Sequence, residues 1–165
     1  MDTTAPEIEF DEKGVCNFCR DYDVLAAKTV LRPLEVRMKE LNDAVLKIKE
    51  LGKDSKYDCL IGLSGGVDSS YICLWAKQVG LRPLIVHFDN GWNSELAVKN
   101  IENIIGKLSF DLHTHVIPWE EFKDLQLAYL KASVIDIEVP TDQLIFASLF
   151  EIAKKYKIKS VVNGL

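Results

Sequence analysis

Ser64-Gly65-Gly66-Val67-Asp68-Ser69-Ser70 is the stretch on which the fold of this chain turns. The residues before it, Tyr57 to Leu63, have the apolar content of a buried strand, and those after it, Ser69 to Val79, space their apolar side chains as a helix does. A strand that turns through two glycines into a helix gathers backbone N–H groups and the positive end of a helix dipole at one point, the geometry that holds phosphate oxygens. A helix end alone contributes roughly 0.3–1 kcal/mol toward an anion. Hydrogen bonds to a charged group contribute about 1.5–3 kcal/mol each, so a nucleotide needs several converging donors. Gly65 and Gly66 let the backbone come close, and Ser64, Ser69 and Ser70 add hydroxyls. Asp68 suits an anion site if a divalent cation stands between its carboxylate and the phosphates, and Mg2+ is commonly held in that way.

Two other readings compete for this loop. It could be a plain strand-to-helix turn with serine caps. It could also be a nucleophile elbow, because Gly62-Leu63-Ser64-Gly65-Gly66 formally matches G-x-S-x-G. The elbow needs an acid and then a histidine downstream, an order that Asp89 followed by His113 or His115 supplies. A Walker A loop is excluded, since no Gly-Lys-Ser/Thr follows the glycines.

The S-G-G-x-D-S pattern at the end of a first strand resembles the pyrophosphate-binding loop of the PP-loop ATP pyrophosphatases, which cleave ATP between the α and β phosphates. Asp2-Thr3-Thr4-Ala5-Pro6, Phe10-Asp11-Glu12-Lys13-Gly14-Val15-Cys16, Phe88-Asp89-Asn90-Gly91-Trp92-Asn93 and Pro140-Thr141-Asp142 extend the resemblance to one branch, the N-acetyl sugar amidotransferases of surface-polysaccharide and flagellin-sugar pathways. The resemblance implies ATP held by Ser64, Gly65, Gly66, Val67, Asp68, Ser69 and Ser70, with Mg2+, and catalytic roles for Asp68 and Ser64. It implies that Phe88 and Asp89 lie beside the nucleotide and that a loop containing Gly164 closes over it. Asn90, Trp92, Thr141 and Asp142 then face the acceptor. The chemistry implied is adenylation of an N-acetyl group of a nucleotide-linked sugar, followed by displacement of AMP by ammonia. Cys73, in a helical run, does not look like a glutaminase nucleophile, so a separate glutaminase partner is expected to supply that ammonia. A tRNA-thiolating relative that uses Cys16 and Cys19, and a non-catalytic nucleotide-binding fragment, are the other outcomes.

Length and composition agree with an enzyme core. The 165 residues suit one domain, or a core domain with a small appendage, and 48% apolar with 27% charged residues is ordinary for a globular chain rather than a disordered one. A net charge of −5 with dispersed basic residues favours a small-molecule acceptor over nucleic acid. No apolar stretch approaches the roughly 18–20 residues that would span a bilayer and no signal sequence opens the chain, so a cytoplasmic location is expected, with thiols rather than disulfides.

The chain divides by pattern into three parts: residues 1–32, with Cys-x-x-Cys; residues 33–56, an amphipathic helix and a link; and residues 57–165, the nucleotide-binding domain. In the first part, residues 8–10 read as a short strand and Asp11 to Gly14 as a turn. Cys16 and Cys19 after a turn are half of a zinc knuckle, against plain thiols in a hairpin. Relatives of the resembling branch commonly carry a second cysteine pair upstream, where this chain starts at Met1-Asp2. Leu31, Leu34, Met38, Leu41, Val45 and Ile48 make the helix, from near Pro33 to near Gly52.

After the loop and its helix come a strand over residues 84–88, a helix over 94–108, a strand over 112–117, a helix from Trp119 to about Leu130, an irregular connection over 133–139, a helix over 141–156 and a strand over 160–163. This alternation predicts an α/β fold, an open and mostly parallel sheet with helices on both faces and its site at the strands' carboxyl ends. Thr141 and Asp142 directly follow Pro140, where N-capping and acceptor contact both fit. His113 and His115 share one strand face, more often partly exposed strand residues than metal ligands. Cys59 and Cys73 read as core. A last parallel strand with no covering helix suggests a piece of a longer protein.

Overall fold

The computed structural model describes residues 2–163, and Gly164 lies outside them. The chain forms two compact units, Met1–Ala44 and Val45–Leu165.

In the first unit, Asp11 closes a tight turn. Its carboxylate accepts from the N–H groups of Lys13 and Val15, each at 2.9 Å, and an antiparallel bridge pairs Phe10 with Cys16. The expected strand over residues 8–10 is thus a single bridge. Cys16 then caps a helix, α1 (Asn17–Lys28), accepting from the Cys19 N–H at 3.4 Å. No helix was expected there: Ala26 is its one buried residue while Tyr22, Val24 and Leu25 are exposed, so no apolar stripe marks it. α2 (Leu34–Gly52) runs between the expected limits, and its residues from Val45 onward belong to the second unit.

The second unit holds a four-stranded parallel sheet in the order β3-β2-β1-β4, with β1 (Cys59–Gly62), β2 (Pro83–Asp89), β3 (Asp111–Val116) and β4 (Val161–Val162). Between the strands lie α3 (Val67–Gln78), α4 (Glu95–Leu108), α5 (Trp119–Lys131) and α6 (Val139–Tyr156). Side chains alternate across β1 and β2, so each strand feeds two cores. Cys59, Ile61, Leu63 and Ile85 pack with Val45 of α2, Cys73 and Ala76 of α3 and Ile101 of α4. Leu60, Leu84 and Val86 pack on the other face with Leu149, Ile152 and Ala153 of α6. Helices therefore cover both faces, as the alternation predicts. Among the described residues no helix is long and apolar enough to cross a membrane.

Two boundaries correct the expectation, and both move a helix start. α3 begins at Val67, which puts Val67 and Asp68 in its first turn. α6 begins at Val139 with Pro140 in the first positions and Glu138 as the cap residue, so Thr141 and Asp142 lie inside the first turn and cap nothing. Proline is tolerated there because the first N–H groups of a helix have no intrahelical acceptor to lose.

The chain order creates the crevice. From β1 it moves outward to β2 and β3, then returns to lay β4 on the opposite side of β1. The strand order thus reverses between β1 and β4, and a crevice outside the carboxyl ends of strands at such a reversal is the usual place for a ligand. The glycine loop opens into this crevice.

Candidate nucleotide site

A cleft of about 400 Å3 lies at the switch point. Its polar wall is the loop and the start of α3, through Ser64, Gly66, Val67, Asp68 and Ser69. Phe88, Asn90 and Asn93 come from the end of β2 and beyond, Asp142, Ile145 and Phe146 from α6, and Asn163 from the end of β4. Apolar walls with a few convergent polar groups are usual for a small-molecule site, and the volume is in the normal range.

The loop is built to turn its donors outward. Gly65 sits at φ +81°, and a Cβ there would lie 2.5 Å from the Ala97 carbonyl oxygen of α4, so only glycine fits. The Gly65 carbonyl accepts from Asn100 Nδ2 at 3.1 Å. One residue before the loop, the Leu63 carbonyl meets buried His87 Nδ1 at 3.1 Å. Because a carbonyl can only accept, that nitrogen carries the proton. One residue after Gly65, the Gly66 carbonyl accepts from the Ser70 hydroxyl at 2.5 Å and the Ser70 N–H at 3.1 Å. The Ser70 N–H opens the intrahelical series, so the N–H groups of Val67, Asp68 and Ser69 precede it and have no acceptor within the helix.

The hydroxyls fill the loop loosely. Ser64 Oγ and Ser69 Oγ are 3.1 Å apart, the Ser64 N–H donates to Ser69 Oγ at 3.3 Å, and the Gly66 N–H donates to Ser64 Oγ at 3.4 Å. These exceed the usual hydrogen-bond range and are readily exchanged for anion oxygens. No imidazole bonds to Ser64. His87 is committed to Leu63, His115 is stacked on Phe88 with ring centroids 5.4 Å apart, and His113 meets the edge of Tyr156. The nucleophile elbow therefore has no base among the described residues.

Of the residues singled out in the sequence, Ser64, Gly66, Val67, Asp68, Ser69, Phe88, Asn90 and Asp142 line the cleft. Neither the Asp68 nor the Asp142 carboxylate has a hydrogen-bond or ion-pair partner among the described residues. Gly65 and Ser70 support the loop from behind. Asp89 is turned into its own loop, where Oδ1 accepts from the Gly91 N–H at 3.0 Å and from Asn93 Nδ2 at 3.1 Å. Trp92 is exposed yet tethered: its indole N–H donates to Gln126 Oε1 at 2.6 Å, and its ring meets Trp119 edge-on. Thr141 is buried, and its hydroxyl has no hydrogen-bond partner among the described residues.

In the first unit, Cys16 and Cys19 sulfurs are 3.4 Å apart. The Cys19 N–H, and then the Cys19 thiol, hold the Cys16 thiol below its ordinary range. Among the described residues no third histidine, cysteine or carboxylate joins them, so these residues do not build the closed zinc site for which the spacing supplies half.

A second hollow of about 390 Å3, lined by Lys56, Tyr57, Arg82 and Asp111 among others, contains residues at the strands' amino ends. Most of its charged groups are already paired. Lys56 and the Tyr57 hydroxyl both meet Asp111, at 2.8 and 2.7 Å, and Arg82 grips buried Asp58. The cleft at the carboxyl ends is the better candidate.

Sequence reasoning missed His87 and Asn100. Each sits mid-element and reaches the loop across 24 and 35 residues of chain, and no local pattern signals such a contact.

No protein-family model matches the chain, and no curated protein is a significant match to it. Solved structures do share its fold. An NH3-dependent NAD synthetase from Campylobacter jejuni in complex with the nitrate ion is similar at 15% identity and TM-score 0.54 over 74% of this chain and 54% of that one. An NMN synthetase from Francisella tularensis is similar at 18% identity and TM-score 0.49, over 72% of this chain and 52% of that one. An NAD+ synthetase from Burkholderia pseudomallei is similar at 12% and 0.46, over 76% and 61%. The first of these likenesses shows the α/β fold, and the chain spans about half the length of that structure.

Proposed function

We propose that this protein is a PP-loop ATP pyrophosphatase that activates an amide carbonyl with ATP, releasing pyrophosphate, and passes ammonia to the activated carbon. The observation that carries the proposal is the loop itself. Leu63, Gly65 and Gly66 have their carbonyls bound from behind, and the N–H groups of Val67, Asp68 and Ser69, which have no acceptor within the helix, stand at the start of α3, which opens on the cleft. Backbone donors whose own carbonyls are occupied elsewhere suit a polyanion. The description of the Campylobacter fold neighbour as NH3-dependent agrees with ammonia as the nitrogen source.

The acceptor we propose is the N-acetyl group of a nucleotide-linked sugar, on the strength of the quoted sequence stretches. Its amide oxygen attacks the α phosphorus, and the bond to the bridging oxygen of pyrophosphate breaks. Ammonia then adds to the imidate carbon, AMP leaves with the former amide oxygen, and the acetamido group becomes acetamidino.

The residues divide this work. The N–H groups of Val67, Asp68 and Ser69 and the Ser64 and Ser69 hydroxyls hold the β and γ phosphates, where charge accumulates as pyrophosphate departs. The Asp68 and Asp142 carboxylates are the oxygen donors a hard cation takes, and they would hold Mg2+, which when bound neutralises phosphate charge. Phe88, Ile145 and Phe146 give the base an apolar seat and keep water from the imidate. Asn90, Trp92, Thr141 and Asp142 are the proposed acceptor side, with Asp89 keeping the loop of Asn90 and Trp92 in shape.

Ammonia comes from a partner glutaminase in this scheme. Burial pushes the Cys59 thiol up to about 12 and the Cys73 thiol to about 11, so neither supplies a thiolate near neutral pH.

Incubation with ATP, Mg2+, ammonium and a set of nucleotide-linked N-acetyl sugars tests the proposal. AMP and pyrophosphate in step with an acetamidino product are expected; ADP with phosphate, or turnover without ATP, overturns it.

A further inference from the structure

Three carbonyls in and beside the loop are tied down, but not by the same means. The Gly66 carbonyl is held from within α3, by Ser69 and Ser70. The Leu63 and Gly65 carbonyls are held by side chains from elsewhere in the fold, His87 of β2 and Asn100 of α4. In a planar trans peptide the C=O of one residue and the N–H of the next point in opposite directions. A partner on the Gly65 carbonyl therefore sets where the Gly66 N–H points, and a partner on Leu63 does the same for Ser64.

We infer that Asn100 and His87 are positioning residues for phosphate binding: by holding the Gly65 and Leu63 carbonyls they aim the Gly66 and Ser64 N–H groups at the Ser64 and Ser69 hydroxyls on the cleft wall, through contacts long enough to yield to phosphate oxygens. This rests on the function proposed above.

The Gly65-Gly66 peptide is the unit most in need of such a hold. Neither flanking residue has a Cβ, so the peptide can rotate at little steric cost. Asn100 Nδ2 is the one hydrogen-bond partner of the Gly65 carbonyl among the described residues. Without it that oxygen can turn into the cleft, replacing a donor with a partial negative charge facing phosphate. The Leu63 carbonyl is similarly dependent, because buried His87 is inside the protein with its Nδ1 proton committed to it.

Asn100 also ties the loop to the neighbouring turn. α4 starts at its Ser94 cap, directly after the turn that Asp89 closes through Gly91 and Asn93. A shift of that turn on acceptor binding would reach the phosphate loop through Ala97 and Asn100.

Calorimetric titration of inorganic pyrophosphate and of adenosine into the protein, Asn100→Leu, His87→Leu and His87→Asn tests the inference. Loss of one correctly aimed donor to a charged group weakens pyrophosphate binding by about tenfold or more in both leucine variants. Adenosine, which has no phosphates, binds unchanged, and His87→Asn, whose amide can donate from nearly the same place as Nδ1, restores pyrophosphate affinity. Leucine variants that bind pyrophosphate like the parent, or that lose adenosine to the same degree, overturn the inference. Crystals of Asn100→Leu grown without nucleotide give a reading independent of function: a Gly65 carbonyl still in its place overturns the inference. A parent protein that binds neither pyrophosphate nor ATP overturns the proposed function instead, and the crystal result then decides the inference alone.

Discussion

Replacing Gly65 with alanine probes the loop where it is most constrained. At φ +81° an alanine is in the left-handed region, at about 1–2 kcal/mol, of which roughly 0.4–1 kcal/mol returns because the unfolded chain has fewer conformations to lose. Its Cβ would lie 2.5 Å from the Ala97 oxygen and 2.9 Å from the Ala97 Cα. Both atoms are backbone of α4, fixed at that end by the Ser94 cap on the Ala97 N–H at 3.2 Å, so they cannot swing aside. The loop must retreat by about 1 Å to reach ordinary contact at 3.4 Å, and a displacement of that size costs on the order of 100-fold in rate when it misplaces reacting groups. Gly66 is the internal control. It sits at φ −79° and a Cβ there meets only the Ser64 Oγ, at 3.4 Å, so alanine is accommodated by the fold.

The expected result is a Gly65→Ala protein less stable by about 1–3 kcal/mol, with its melting midpoint down by roughly 3–10 °C. Pyrophosphate release falls about 100-fold, and Gly66→Ala keeps the parental midpoint. Thermal unfolding followed by circular dichroism, with a coupled pyrophosphate assay, measures both. A Gly65→Ala midpoint equal to the parent's, or a Gly66→Ala protein the less stable of the two, refutes the steric reasoning.

Asp68→Asn leaves the fold intact, because the carboxylate it removes has no partner among the described residues, but lowers ATP-dependent AMP formation on the order of 100-fold, as quantified by chromatography of the nucleotides. Ser64→Ala removes one hydroxyl among several donors and costs about tenfold in the same assay, whereas complete loss with ATP-independent turnover in the parent would mark a covalent serine. Brief alkylation at pH 8 followed by peptide mass spectrometry labels exposed Cys19 and spares Cys59 and Cys73, whose burial disfavours the thiolate. The same burial predicts alkaline sensitivity: the Cys59 thiol is pushed from an ordinary 9.0 to about 12, so stability present below pH 9 is lost as pH rises through that window, and denaturant titrations of Cys59→Ala show a shallower loss.

The sheet was legible in the sequence because its strands are short apolar runs bounded by turn residues, and the helices between them carry their stripes at core positions such as Ile101 and Ile152. α1 was not, since a helix whose apolar residues remain exposed has no periodic face to detect. Proline hid the start of α6 by resembling a boundary, although the first turn accepts it. In the site, the glycine loop announced itself through residue type alone. Asp89 did not reveal its use: an aspartate before Asn-Gly is equally able to face a ligand or to accept its own turn's N–H groups, and the structure has it accepting from Gly91.

The same distinction explains why a nest of glycines and serines is an insufficient sign of anion binding. Every peptide carries an acceptor with its donor, so a loop free to rotate presents both and discriminates weakly between phosphate and a cation. Selectivity requires that the acceptors be occupied elsewhere. Here the fold occupies three, those of Leu63, Gly65 and Gly66, one from within α3 and two from side chains of other elements. A loop with the same seven residues but no Asn100 or His87 behind it would keep the helix end and its weak attraction of roughly 0.3–1 kcal/mol while losing the directed hydrogen bonds, each worth about 1.5–3 kcal/mol to a charged group. The motif therefore names the chemistry, and the residues behind it determine whether the chemistry can occur.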